Sequence, residues 1–330
     1  MSKLVVVTPY INTRRFKIRP KLYHDFATYI KSCGLELYTG ELVIGDRDFE
    51  VTKPNDPYSV QIRGTQEAWF KENIQNIVVS RLPSDVTHIA FIDCDCTFVR
   101  HDWVKETMAQ LDLYPVIQLW SHYLDVGPDH QPIRQPIPSF SYVYNHPELQ
   151  QQTLNDMEIN GCQRILATRK VTRVKSVYGA PGLAWAWRRE TLDACGGLLD
   201  TNLIGAGDYQ MAMSLVGKTH QAINVPKEMT VSVCNNGYHR TMLRWGERAF
   251  KIVKGNIGYT PTLAIHYYHG NKINRGYNTR WRILTENNYD PETDIVRNTQ
   301  GLWVINPDRI EIIRGLNHYF SQRNEDSVDI

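Results

Sequence analysis

Read from its N-terminus, the chain alternates short apolar runs with amphipathic stretches. Leu4-Val5-Val6-Val7 is a continuous, mostly β-branched run ended by Thr8-Pro9, the pattern of a strand buried on both faces. From about Lys21 to Cys33, residues Leu22, Phe26, Tyr29 and Ile30 recur at helical spacing, with Gly34 as the stop. Leu35 to Ile44 is apolar again and ends at Gly45-Asp46-Arg47-Asp48. Strand, helix and strand in this order predict a βαβ unit of an α/β sheet. The pattern then repeats. Phe70, Ile74, Ile77, Val78 and Leu82 stripe a helix predicted over Glu67 to Leu82 and closed by Pro83. Ile89 to Ile92 reads as the next strand, Asp102 to about Asp112 as a helix, and Val116 to Trp120 as a fourth strand.

Beyond these repeats the pattern loosens. Gly127 to Pro138 carries four prolines and predicts an extended loop or lid. Pro147 to about Asn160 reads as helical. Tyr178 to Leu183 is a small-residue loop entering a strand at Ala184-Trp185-Ala186-Trp187, then a short helix that stops at Gly196-Gly197. Trp185 and Trp187 alternate with alanines, so one set belongs to the core. Gly205-Ala206-Gly207-Asp208 opens another helix, and Tyr238 to Lys254 is strongly amphipathic, with Met242, Trp245, Ala249 and Ile252 inward. No linker divides the chain. The reading is one α/β domain over residues 1–285 and a C-terminal cap over 286–330, anchored by Trp303, Tyr319 and Phe320.

Composition narrows the class. At 330 residues and 42% hydrophobic content the chain can bury a large core, and 22% charged residues exclude global disorder. The first apolar run ends too early for a secretory core, and none approaches the ~20 residues of a bilayer span. Six cysteines without metal-finger spacing predict buried thiols in a reducing cytosol. A cytoplasmic protein is expected.

The net charge of +2 conceals local asymmetry. Residues 164–175 hold five cations and no acid, and residues 240–282 hold nine Lys/Arg against one acid, Glu247. Such runs are usually solvated faces, but they also suit a diphosphate or a nucleic-acid backbone.

The chemistry centres on Phe91-Ile92-Asp93-Cys94-Asp95. On a strand, a period of two puts Asp93 and Asp95 on the same side, where two carboxylates repel unless a cation lies between them. Hard oxygen ligands suit Mg²⁺ or Mn²⁺. A turn after a buried strand has the same composition. Likewise His266 and His269, two histidines in His-Tyr-Tyr-His-Gly, are ordinary structural residues when taken alone, and Asp208 at a helix start can be a simple N-cap.

The order of these parts resembles the GT-A glycosyltransferases, and most closely a little-described branch of family 2-like enzymes of bacteria, phages and plants. The resemblance spans nearly the whole chain through Glu41-Leu42-Val43-Ile44-Gly45-Asp46, Trp69-Phe70-Lys71-Glu72, Phe91-Ile92-Asp93-Cys94-Asp95, Gly205-Ala206-Gly207-Asp208, His266-Tyr267-Tyr268-His269-Gly270 and Gly301-Leu302-Trp303. It implies a GT-A fold, with a Rossmann-like central mixed sheet flanked by helices and a C-terminal helical cap. The implied activity is metal-dependent transfer of a sugar from a nucleotide-diphosphate sugar, most readily UDP, to an acceptor hydroxyl. Thr8, Pro9, Tyr10 and Asp46 would then face the base and ribose, and Lys71 would reach the donor. Asp95 would bind Mn²⁺ or Mg²⁺, with Asp93 on the metal or ribose. One of His266 and His269 would complete the metal shell and the other would contact the diphosphate. Gly182 and Ala184 would let the backbone approach the sugar, and Asp208 would be the base of an inverting displacement. The chain has a single acid after Gly207 where the family 2 pattern has an acidic pair. The basic stretches and a bacterial or phage-infected cytosol point to a hydroxymethylated DNA base as acceptor, with a lipid-linked or small-molecule acceptor as the alternative. A nucleotidyltransferase would want a Gly-rich basic loop after the first strand, which Thr8-Pro9-Tyr10-Ile11-Asn12 lacks. A nonenzymatic nucleic-acid binder would leave the carboxylates unexplained.

Overall fold

The computed structural model describes residues 2–149, 178–223, 236–277 and 279–329. Its centre is a seven-stranded mixed sheet of order β10-β6-β9-β4-β1-β2-β3. The strands are β1 (Leu4–Ile11), β2 (Glu36–Ile44), β3 (Ser59–Gly64), β4 (His88–Ile92), β6 (Val116–Gln118), β9 (Ala184–Arg188) and β10 (Ile257–Tyr259). β9 alone runs antiparallel to its neighbours β4 and β6. A second, four-stranded sheet of order β5-β11-β7-β8 comprises β5 (Cys96–Phe98), β7 (His122–Asp125), β8 (Ile137–Pro138) and β11 (Leu263–His266). The expected Rossmann-like mixed sheet with flanking helices is what the chain forms.

Alternation along the central strands explains the layering. Val5 and Val7 of β1, with Ile89 and Phe91 of β4, enter one core. Leu4 and Val6, with Ala90 and Ile92, enter the other. Each strand therefore feeds both faces, which is why its run is apolar without interruption. Helix α1 (Ile18–Ser32) turns Tyr23, Phe26 and Ile30 into the second core, joined by Trp103 and Leu111 of α3 (Trp103–Leu113). Helix α2 (Lys71–Val79) sends Ile74, Ile77 and Val78 into the first. It is shorter than its apolar stripe. Trp69 N–H donates to Leu203 O (2.8 Å), so residues before Phe70 are held by tertiary bonds instead of helix.

The remaining helices are α4 (Phe140–Asn145), α5 (Arg189–Cys195), α6 (Gly207–Leu215), α7 (Thr219–Ile223), α8 (Asn236–Val253), α9 (Arg282–Thr285), α10 (Pro291–Asp294) and α11 (Ile310–Gln322). The predicted helix over 147–160 and the basic stretch 164–175 lie essentially outside the described residues. Residues 127–138 run as a loop until Ile137–Pro138 pairs with β7. Trp187 is the core member of its pair, while Trp185 is half-buried and donates its indole N–H to Pro181 O at 2.6 Å. Among the described residues no helix is long and apolar enough to cross a membrane.

The C-terminal segment is tied to α2 directly, where Asn73 accepts Trp303 N–H (2.9 Å), and through the buried carboxylate of Asp200. Asp200 Oδ2 accepts from Asn73 Nδ2 (3.1 Å), Asn76 Nδ2 (3.1 Å) and Arg297 (2.9 Å). Replacing Asp200 with alanine removes one acceptor from each of three donors, while Asn73 keeps Gly301 O and Asn76 keeps Leu198 O, and is expected to cost about 1–2 kcal/mol, readable as a lower urea midpoint with unchanged slope.

Candidate active site and metal centre

The site forms where the chain leaves β4 for the second sheet. β4 ends at Ile92. Asp93 N–H donates to Leu183 O (2.9 Å) and Cys96 N–H returns to Asp93 O (3.3 Å), so the two acids lie in a turn and not on a strand. The period-two expectation of a shared side therefore fails. Asp93 faces α2 and pairs with Lys71 Nζ at 2.5 Å. Asp95 faces the second sheet, where its carbonyl accepts Tyr267 N–H (2.8 Å) and fixes the end of β11 beside it.

That bond brings both histidines to one carboxylate. His269 Nε2 lies 3.0 Å from Asp95 Oδ2, and His266 Nε2 lies 3.9 Å from Asp95 Oδ1. One ligand atom from each of the three buried residues lies within 4.8 Å of the others. Asp93, expected among the ligands, is not in this group because Lys71 holds it on the other side of the turn. Both histidines thus stand together beside Asp95.

The donor set fits a divalent cation. Asp95 Oδ1 is buried with no hydrogen-bond partner, a costly condition unless something else satisfies it. Ligation requires neutral imidazole. Burial, with Arg275 and Arg19 beside it, holds His269 down to about 4, so it is neutral at physiological pH. Burial pushes Asp95 up, but His269, His266 and Arg19 outweigh it and keep the carboxyl well below the usual range. With His269 neutral above pH ~4, Arg19, 3.6 Å from Asp95 Oδ2, is the fixed charge that does this at pH 7. Two imidazoles and one carboxylate favour Mn²⁺ over Mg²⁺.

A second layer orients the ligands. His266 Nδ1–H donates to Asp125 Oδ1 (2.5 Å), which leaves Nε2 free for a metal. Asp125 Oδ2 in turn accepts from Lys272 Nζ (2.6 Å) and pairs with Arg134 Nε (2.5 Å). Glu325, reached from the chain's end, pairs with Arg19 and with Arg323 (2.6 Å), and lies 3.4 Å from His269 Nδ1. Nothing in the spacing of Asp125 or Glu325 marks them in the sequence, since both act across more than fifty residues. Asp125→Asn is expected to weaken Mn²⁺ binding about 10–100-fold, measured by isothermal titration.

A pocket of about 40 Å³ opens on the α2 side, with Lys71, Glu72, Gln75, Gly182 and Asp208 as its polar lining and Phe91, Trp185 and Met211 among its walls. Asp208 lies in the first turn of α6, and its Oδ1 accepts Tyr209 N–H at 2.8 Å. The capping position belongs to Ala206, at φ +72°, so Asp208 is not an N-cap. Burial lowers the Lys71 ammonium, but Asp93, Glu72 and Asp208 outweigh this and keep it charged. Glu72 is buried, and desolvation pushes its carboxyl up to about 7 against the pull of Lys71. It was not among the expected site residues. Helical spacing puts it across α2 from Ile74, Ile77 and Val78, so the stripe does not mark it, yet it is buried.

The residues expected at the nucleotide divide. Thr8 is fully buried and spends its hydroxyl on Ile92 O (2.8 Å), joining β1 to β4. Pro9 is half-buried beside it. Tyr10 donates to Glu50 Oε2 (2.8 Å) and lines a hollow with Asn12, Arg15, Glu41 and Arg47. Asp46 is exposed in the turn after β2 and does not line that hollow. Gly182 and Ala184 both line the pocket, Ala184 while paired with Ile92 in the sheet. Much of the cationic run 240–282 is already engaged. Arg240 and Arg244 pair with Glu292, Arg282 with Glu286 and Lys272 with Asp125, while Arg275 and Arg280 are buried.

No protein-family model matches the sequence, and no curated protein matches it. Among solved structures, the chain is similar to a variant of Drosophila β-1,4-galactosyltransferase 7 in complex with manganese, UDP-Gal and xylobiose. That match has 11% identity and a TM-score of 0.32, over 64% of this chain and 60% of the other. It is similar to S. aureus TarS 1–349 at 12% identity and a TM-score of 0.32, over 97% and 72% of the two chains. It is also similar to 4-diphosphocytidyl-2C-methyl-D-erythritol synthase from Anaerococcus prevotii, at 6% identity and a TM-score of 0.31, over 98% and 97%. The chain thus spans 60% of the length of the galactosyltransferase, and glycosyltransferase structures stand among its neighbours.

Proposed function

We propose that this protein is a divalent-metal-dependent glycosyltransferase that moves a sugar from a nucleotide-diphosphate sugar, UDP in the first instance, to an acceptor hydroxyl with inversion. The observation that carries the reading is the joint occurrence of a buried Asp95–His266–His269 group and a carboxylate-lined pocket at the C-terminal end of β4, where open α/β sheets bind ligands. Asp95, His266 and His269 would hold the metal ion, whose chemistry would be charge stabilisation for a departing diphosphate. Lys71 adds a fixed cation on the opposite side of the turn, and Asp93 holds that cation in place. Asp208 accepts the acceptor's proton as its oxygen attacks the anomeric carbon. The Tyr10–Glu50 hollow takes the base and ribose.

The acceptor class is decided by experiment. Wild-type protein in Mn²⁺ is first screened for thermal stabilisation by a panel of nucleotide sugars. The stabilising donor is then offered hydroxymethylated DNA, lipid-linked sugars and soluble sugars. Gain of a hexose or pentose mass on the nucleoside supports a DNA acceptor. Release of nucleotide with a soluble or lipid-linked acceptor alone removes it, in line with the internal pairing of the 240–282 cations. Stabilisation by no nucleotide sugar at all would remove the glycosyltransferase reading.

A further inference from the structure

Asp208 has no acidic neighbour in the sequence, yet it has one in its pocket. Glu72 enters from the first turn of α2 and Asp208 from the first turn of α6, and both line the same small space. Two glycines make that possible. A Cβ at Gly207 would stand 2.8 Å from Glu72 Oε1 and 2.9 Å from its Cδ, and a Cβ at Gly182 would stand 2.8 Å from Asp208 Oδ2. Each carboxylate thus occupies volume that any other residue at these positions would fill. The nearby cation is not free to neutralise both, because Lys71 is engaged with Asp93 at 2.5 Å.

We infer that Glu72 is a positioning residue for Asp208, so that the two carboxylates form one proton-handling unit assembled from two helices. The inference rests on the reading of Asp208 as the base. In the transfer, a bond forms between the acceptor oxygen and the anomeric carbon, the bond from that carbon to the diphosphate breaks, and the acceptor's proton passes to Asp208. Two like carboxylates facing one small space share such a proton between them, and an ionised Glu72 is available to do so.

The groups facing Glu72 are Lys71 from its own helix, Asp93 from the end of β4 and Asp208 from α6. Lys71 favours ionised Glu72, whereas Asp208 and Asp93 oppose it, and burial opposes it most. Its titration near neutrality predicts that kcat rises with pH through that range, as Glu72 becomes ionised.

The test has two arms on the full-length protein. The first needs no substrate. Infrared difference spectra should show a protonated carboxyl band that titrates near pH 7, is lost in Glu72→Gln, and moves to lower pH in Asp208→Asn because a like charge has been removed. A band unmoved by Asp208→Asn, or absent from wild type at pH 6, overturns the inference. The second arm compares pH–rate profiles. Glu72→Gln should abolish the limb near neutrality and lower kcat about three- to tenfold at pH 8 with donor KM unchanged. An unaltered profile overturns the inference. Infrared coupling without transfer to any acceptor supports the carboxylate pair and removes the glycosyltransferase reading, whereas transfer without coupling does the reverse.

Discussion

Asp95→Asn is expected to weaken Mn²⁺ binding by more than the roughly 10–100-fold typical of losing a supporting residue, and to abolish metal-dependent donor hydrolysis. Asparagine keeps the volume and an oxygen for the His269 ring, so the turn between β4 and β5 survives. What it removes is the charge, the one carboxylate among the three clustered ligands. Alanine would be the poorer test, because it leaves Arg19 and His269 facing a void. The pH dependence has a defined sign. Asp95 is held below the usual carboxylate range, so its contribution to stability is present above the unfolded value of about 4 and is lost only as pH falls through the lower folded value. His269 is also depressed, to about 4. The unfolded chain therefore binds its proton first, and the fold loses stability as pH falls from about 6.5 toward 4. Asp95→Asn should remove the carboxylate's part of the acid transition and leave the histidine's. Calorimetric titration with Mn²⁺ at pH 7 decides the metal claim. Unchanged affinity would take Asp95 out of the site.

How much of this was legible follows from range along the chain. The strands β1 and β4 and the stripe of α2 are local patterns, and they were readable because a strand covered on both faces must be apolar throughout. β5, β7, β8 and β11 are two to four residues long and become a sheet only through pairings across the chain, so the second sheet left no periodic trace. That sheet is what separates Asp93 from Asp95. A period of two is valid only while a strand lasts, and this one ends at Ile92. The histidine pair was readable as a motif, but its shared attachment to Asp95 depends on the Tyr267 N–H bond to the Asp95 carbonyl. Asp125 and Glu325 come from distant segments and have no local signature. Nor has Glu72: helical spacing places it across α2 from Ile74, Ile77 and Val78, where the pattern predicts solvent, and it is buried only because Gly207 of α6 packs against it.

Asp208→Asn should lower kcat about 10²- to 10⁴-fold, the range for loss of a general base, with donor KM and Mn²⁺ affinity nearly unchanged. The substitution is close to isosteric. Asparagine Oδ1 can still accept Tyr209 N–H, the 2.8 Å bond that orients the side chain, and the space that Gly182 leaves for Oδ2 is filled by an amide of the same size. The helix start does not depend on the acid, since the capping position belongs to Ala206. The change therefore removes proton acceptance and little else. Initial rates of transfer at saturating donor separate the outcomes. A fall in kcat alone identifies a group used in the transition state. A rise in donor KM with kcat unchanged would mean that Asp208 holds the sugar in the ground state. The proton would then have to pass elsewhere in the same pocket, where Glu72 is the remaining acid.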